Sequence, residues 1–207
     1  ERFGFQQGVE QFVEPEGQWS EGAVKSDDAD LVDATLEFAE SIGPDERLFA
    51  RVVLTSAHLP RQFRWRDRGL FTGSEKKLVD PYDTAVRRLD AEIARLVTGL
   101  SERNLLVVVV SDHGEGLRLP KHHGSGHGNF LFFSTISAPL LIHHPSLPAG
   151  HRVSGLSMNI DVHPTILGLL GAEPAHPVDG SDLTAAVRGE TGTCLLYTSD
   201  AADEVLG

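Results

Sequence analysis

Apolar positions recur at helical spacing in two long stretches of the chain and cluster in three shorter ones. Leu31, Ala34, Phe38 and Ile42 fall three or four apart, which predicts a helix over residues 26–42, with Ser26 and the Asp27–Asp28 pair suited to its start. Gly43-Pro44 stops it. Tyr82, Val86, Leu89, Ile93, Leu96 and Leu100 make one apolar face over some five turns of a second helix, with Asp80 as its expected cap and Pro81 in its first turn. Between them, residues 48–55 form an apolar run of strand length. Residues 105–110 form another, β-branched and apolar throughout, as a strand buried on both faces would be. Residues 139–143 are a third strand candidate. Further on, Asp161 is placed to cap a short helix over residues 162–170 that Gly171 closes. Residues 61–77 are basic and aromatic without a clean period and predict a surface excursion.

Helices alternating with buried strands, with no internal repeat, predict an α/β layered fold with a largely parallel central sheet flanked by helices. Ligands of such sheets sit beyond the carboxyl ends of the strands. Two chemically interesting sites lie there: His58, after residues 48–55, and Asp112-His113, after residues 105–110.

Composition narrows the function. The 207 residues are 40% hydrophobic and 23% charged, as in a globular domain, and no apolar run is long enough to span a bilayer. A formal charge of −12 argues against nucleic acid as a partner. It leaves small anionic substrates open, because one bound metal ion can reverse the field inside a cleft. The single cysteine, Cys194, excludes an internal disulfide and a thiolate-rich zinc site. It also lies in a segment, residues 194–204, that resembles the translation of a transposase adapter used in preparing sequencing libraries. Residues 191–207 are therefore expected to be a non-native or disordered tail, and residues 1–190 the domain proper. The start, Glu1-Arg2-Phe3-Gly4, has no initiator Met, and the chain reads as entered midway.

The densest chemistry is in Ser111-Asp112-His113-Gly114-Glu115. A carboxylate beside an imidazole, on a turn leaving a strand, offers two ligands to Zn²⁺, Mn²⁺, Ca²⁺ or Mg²⁺. Gly114 permits a close backbone approach. Glu115 has two readings: it holds His113 through the second ring nitrogen, or it starts the following loop. Downstream, Pro120–Asn129 is a glycine-rich loop in which His127 stands between two glycines and serves no helix or strand face. A histidine so held can donate to a substrate oxyanion or protonate a leaving group. His122 and His123 are read as solvated loop residues, and His143, His144, His151 and His176 as surface or structural.

Taken in order, Ser111-Asp112-His113-Gly114-Glu115, Gly126-His127-Gly128-Asn129 and Ala138-Pro139-Leu140-Leu141-Ile142 resemble the sulfatase branch of the alkaline phosphatase superfamily. Residues 82–110 are similar to the helix and strand that lead into that family's metal motif. Asn159–Thr165 resembles its "D-x-x-P-T" helix start, and Asp179-Gly180-Ser181-Asp182-Leu183 its "D-G-x-S/D-L" element. The resemblance covers roughly residues 1–190. It implies that Asp112 and His113 bind a divalent metal (Ca, Zn, Mn or Mg), and that His127 contacts the sulfate or phosphate group or the leaving oxygen. It implies too that His58, in Ser56-Ala57-His58-Leu59-Pro60, is the substrate histidine of an "H-x-P" element. Asp161 is read as a helix cap and not a ligand.

The expected activity is metal-dependent hydrolysis of sulfate esters or related phosphoesters, on small-molecule, glycan or lipid substrates. A phosphoethanolamine or glycerophosphate transferase of the same superfamily is the alternative, and a non-catalytic binding module a second. Family habit implies an extracytoplasmic location. Two features depart from the pattern. The family's nucleophile lies well upstream of its "H-x-P" histidine, whereas only 57 residues precede His58 here and they hold no "C/S-x-P-S/A-R" motif. The nucleophile and the first acidic ligands are thus expected to lie before residue 1, and the 207-residue chain to show no turnover alone. Second, Phe133-Ser134-Thr135 stands where family members usually carry an acidic residue.

Overall fold

The structure, a computed structural model, describes residues 9–13, 27–43, 46–58, 79–117 and 125–190. The expected excursion at 61–77, the loop histidines His122 and His123, and the tail at 191–207 lie outside the described residues. In chain order come α1 (Asp28–Ser41), α2 (Val79–Gly99), β1 (Val107–Val110), β2 (Gly116–Leu117), β3 (Ser125–Gly126), α3 (Phe133–Ile136), β4 (Leu140–His143), α4 (Val162–Leu170) and α5 (Thr184–Val187). They fall into two units, residues 1–105 with 116–126, and residues 106–115 with 127–207.

In the first unit α1 packs on α2. Asp27, not Ser26, caps α1: its carboxylate accepts the Ala29 N–H at 3.2 Å. The side of α1 that is most buried carries Val32 and Ala39, one residue round from the Leu31–Ala34–Phe38–Ile42 stripe read from the sequence. Leu36 supplies the reason. Its Cδ2 would stand 2.6 Å from a Cβ at Gly99, so α1 approaches α2 at that glycine and turns Val32 and Ala39 inward.

On α2 the buried positions are Thr84 and Ala85, while Val86 is 42% exposed. Polar side chains join the helices instead. Arg95 donates to Asp33, to Glu92 and to the Ala29 carbonyl, and the bond to Asp33, then that to Glu92, raise its guanidinium above the usual range. Arg103, past the end of α2, donates to the carbonyls of Ala39 at 2.7 Å, Ile42 at 3.3 Å and Glu46 at 3.2 Å. Helix carbonyls at a C-terminus have no intrahelical partner, and α1 has no basic residue of its own in its last turn, so Arg103 answers that need from a distant part of the chain. α2 begins at Val79, which puts Asp80 inside the helix and not at its cap; the residue before Val79 lies outside the described residues.

The second unit holds the β1–β4 ladder, antiparallel in the register Val107↔His143 to Val110↔Leu140. β2 and β3, which belong to the first unit, pair antiparallel as well, Gly116 opposite Gly126. Both ladders among the described strands are antiparallel, a local difference within the α/β fold expected from the sequence. Residues 48–55 belong to no ladder among the described residues. An apolar run signals burial but carries no information about the direction of a neighbour, which explains the difference. Nor is β1 buried on both faces; its first three valines are half-buried and Val110 is 44% exposed.

The packed end of this unit is polar. Asp161 is 0% exposed, and its carboxylate accepts the N–H of Met158 at 2.7 Å and of Ser181 at 2.8 Å. It does not cap α4, since its side chain makes no bond to that helix's first turn. It closes the 3-10 turn Asn159–Asp161 and ties it across to residue 181 instead. One turn on, Thr165 donates to the Asp161 carbonyl at 2.6 Å and accepts the Leu183 N–H at 3.0 Å. The two motifs noted separately in the sequence are thus one hydrogen-bonded latch, with Leu183 and Ala186 buried beside it. α4 ends, as expected, at Gly171 in the left-handed conformation.

Candidate active site

β1 ends at Val110, and the chain turns at once through the residues singled out for chemistry. Three bonds hold the turn's backbone: the Ser111 hydroxyl donates to the His113 carbonyl at 2.7 Å, the His113 N–H donates to Asp112 Oδ1 at 3.0 Å, and the Gly114 N–H donates to the Thr135 carbonyl at 2.9 Å. Asn159 adds two more, its amide donating to the carbonyls of Ser111 at 3.0 Å and Asp112 at 3.1 Å. Asn159 is a residue the sequence did not disclose as part of the site. Its only signal was its place in the "D-x-x-P-T" segment, where Asp161 drew the attention.

Gly114 is required. A Cβ there would meet the carbonyl oxygen of Ser134 inside any van der Waals limit, and that of Ser137 at 2.7 Å. The backbone of α3 is thereby packed directly on the turn. Gly126 and Gly128, at φ 79° and 90°, set His127 between two left-handed residues. Glu115 and His127 directly precede and follow Gly116 and Gly126, which face each other in the β2–β3 ladder.

The side chains converge. The rings of His113 and His127 lie 3.7 Å apart between centroids, tilted by 32°. His113 Nδ1 is 2.7 Å from the Gly114 carbonyl oxygen. In the neutral ring that contact places the proton on Nδ1 and leaves the Nε2 lone pair for a cation. Nε2 stands 3.7 Å from Asp112 Oδ2. Glu115, 11% exposed at its side chain, faces His127 Nδ1 at 3.6 Å. Of its two expected roles, holding His113 is filled by the Gly114 carbonyl, and Glu115 turns to the other histidine.

A metal fits this donor pair. Zinc–nitrogen and zinc–oxygen bonds of about 2.1 Å at a tetrahedral angle separate two donors by about 3.4 Å, close to the 3.7 Å seen here. No group of three or more His, Cys, Asp or Glu able to hold a metal occurs among the described residues, so Asp112 and His113 would supply only two of such a centre's ligands.

The second unit thus brings Asp112, His113 and His127 together, with Glu115 and Asn159 behind them. His58 belongs to the first unit. It is exposed, on a turn closed by its own N–H donating to the Thr55 carbonyl at 2.9 Å. His143 and His176 are exposed, and His144 and His151 bond Ser146 Oγ at 2.7 Å and the Ala186 carbonyl at 2.9 Å. At the position where an acidic residue was missed in the sequence, Ser134 has a buried hydroxyl without a hydrogen-bond partner among the described residues.

A carboxylate and an imidazole past a strand end thus stand beside a glycine-flanked histidine. The chain belongs to the sulfatase family, whose model, described as "Sulfatase", matches residues 2–172. The alkaline-phosphatase-like α/β fold expected from the sequence comes with that membership.

Among curated proteins it is similar to an N-acetylglucosamine-6-O-sulfatase of Bacteroides thetaiotaomicron, 28% identical over 133 residues covering 62% of this chain and 23% of that protein. It is similar also to arylsulfatase K of Canis lupus familiaris, 28% identical over 120 residues, 56% of this chain and 22% of the relative. Among solved structures, a phosphonate monoester hydrolase of Agrobacterium radiobacter aligns at 26% identity and a TM-score of 0.45, over 58% of this chain and 26% of that one. The chain spans about a quarter of the length of the curated relatives it matches. No helix among the described residues is long and apolar enough to cross a membrane.

Proposed function

We propose that this chain carries part of the active centre of a metal-dependent sulfatase-type hydrolase acting on sulfate esters or related phosphoesters. The observation that carries the reading is the convergence at the end of β1: Asp112 Oδ2 3.7 Å from His113 Nε2, and His127 stacked on His113 with ring centroids 3.7 Å apart. Asp112 and His113 would hold the metal. When bound, a divalent cation in such a site polarises the sulfuryl or phosphoryl group. The chain's own residues supply the rest. The Gly114 carbonyl fixes the His113 ring, and the Asn159 amide holds the two successive carbonyls of Ser111 and Asp112, so the two ligands need little reorganisation to meet a cation. His127 donates a proton toward oxygen charge developing on the ester, with Glu115 orienting its ring from Nδ1. His58, in the first unit, is read separately as the substrate histidine of an "H-x-P" element. The names of the relatives favour sulfate esters of sugars or aryl alcohols as the substrate class, and family habit an extracytoplasmic setting.

Titration of the chain with Zn²⁺, Mn²⁺, Ca²⁺ and Mg²⁺ by calorimetry tests the ligand assignment. At least one ion should bind, and both Asp112→Ala and His113→Ala should weaken it by 10-fold or more, the scale on which metal-site substitutions act. Binding unaffected by either substitution would sink the assignment.

A further inference from the structure

Asp28 stands at the first position of α1 and is 2% exposed. A carboxylate there is costly to bury unless it is hydrogen-bonded. The neighbouring Asp27 already performs the ordinary duties of an acid at a helix start, capping Ala29 N–H and pairing with Arg88 at 3.8 Å. Asp28 does something else. Its two oxygens take two consecutive backbone donors from a distant segment, Oδ1 the N–H of Thr55 at 2.8 Å and Oδ2 the N–H of Ser56 at 3.0 Å. Ser56 is itself buried, and the Thr55 carbonyl accepts the His58 N–H at 2.9 Å.

A single bond to one amide would tether the segment and leave it free to swivel. Two oxygens of one rigid carboxylate on two successive N–H groups fix both the position and the orientation of the peptide between them. The turn that follows, closed from Thr55 to His58, inherits that orientation. The segment has no strand partner among the described residues to set its direction, so the carboxylate supplies what a ladder would otherwise supply. We propose that Asp28 is the positioning residue for His58: it sets the heading of the turn on which His58 is presented. The importance of that heading rests on the reading of His58 as a group that meets the substrate's oxygens.

The test uses the 207-residue chain with Asp28→Asn, which keeps the volume and one acceptor but turns the other oxygen into a donor facing an N–H. By NMR, the Thr55 and Ser56 amides should exchange at least tenfold faster, and the His58 ring resonances should move toward the values of an unstructured peptide, while the circular-dichroism melt stays cooperative. A role confined to stabilising α1 would leave the His58 ring signals in place; that result overturns the proposal. Should Asp28→Asn unfold the chain, exchange in the unsubstituted chain decides. Thr55 and Ser56 must then be protected together with the first turn of α1, and exchange of either at the rate of a free amide overturns the proposal. Titration with inorganic sulfate keeps the two readings apart. His58 signals that ignore sulfate in the unsubstituted chain refute its substrate role without touching the positioning by Asp28.

Discussion

Replacing Asp161 separates the two ways a carboxylate can matter. Its oxygens accept from Met158 and Ser181 at 2.7 and 2.8 Å, and the residue is 0% exposed. Hydrogen bonds to a charged group contribute about 1.5–3 kcal/mol each. Asp161→Ala removes both acceptors, so a loss of about 3–5 kcal/mol is expected, out of a total stability of roughly 5–15 kcal/mol. Asp161→Asn is the sharper probe. It preserves shape, but an amide accepts through one atom only, and its NH₂ would face whichever backbone N–H lost its acceptor. We expect a loss of about 2–3 kcal/mol, one charge-assisted bond plus a donor left facing a donor. Urea unfolding followed by far-ultraviolet circular dichroism measures both, with an unchanged slope as evidence that the denatured state is the same. Faster amide exchange at Met158 and Ser181 localises the damage. An Asn variant within about 0.5 kcal/mol of the parent would refute the argument, since surface changes of no consequence have that size.

Three further outcomes follow from the same geometry. Gly114→Ala forces a methyl against the carbonyls of Ser134 and Ser137; overpacking of this kind costs about 1–3 kcal/mol, so thermal melts should drop and metal affinity should fall with them. Arg103→Lys should cost about 1–2 kcal/mol in urea unfolding, because an ammonium cannot reach the spread of carbonyls that the guanidinium serves at 2.7–3.3 Å. Arg95→Met should cost no more than about 1 kcal/mol despite its two acidic partners, for Arg95 and Asp33 have side chains 37% and 58% exposed and solvent screens such pairs; a larger loss, or one independent of salt, would show the pair to be more than a surface contact.

The helices were legible in the sequence because local rules decide them: the apolar period placed α1 and α2 within two residues of their ends, and Gly171 marked the close of α4. The turn after β1 was legible as a candidate site because Asp112, His113 and Gly114 are contiguous and follow a strand. What stayed hidden depends on contacts across sequence. The partner of β1 is a strand about thirty residues away that runs the opposite way, and nothing in either run of valines and leucines encodes a direction. Glu115 faces His127, twelve residues on, and not the nearer His113, and no local rule of spacing encodes that pairing. Asp28 and Asp161 were each read as helix-start residues. That role is local; their bonds to residues 55, 56 and 181 are not.

Gly114 is bonded through its N–H to Thr135 and pressed against Ser134 and Ser137, so the turn at residues 111–114 and the stretch carrying Phe130, Leu131 and Phe133 are one mechanical piece. Those three side chains are 68%, 87% and 81% exposed, and at first sight offer an easy place to alter what the protein grips. They are not an interchangeable module. Lengthening or shortening residues 130–137 by a single position would carry a different carbonyl under Gly114 and displace His113 with it. Variation among relatives in this stretch should therefore run through side-chain exchange at fixed length, and a loop graft intended to change selectivity will need its insertions placed elsewhere, such as residues 144–157 beyond β4.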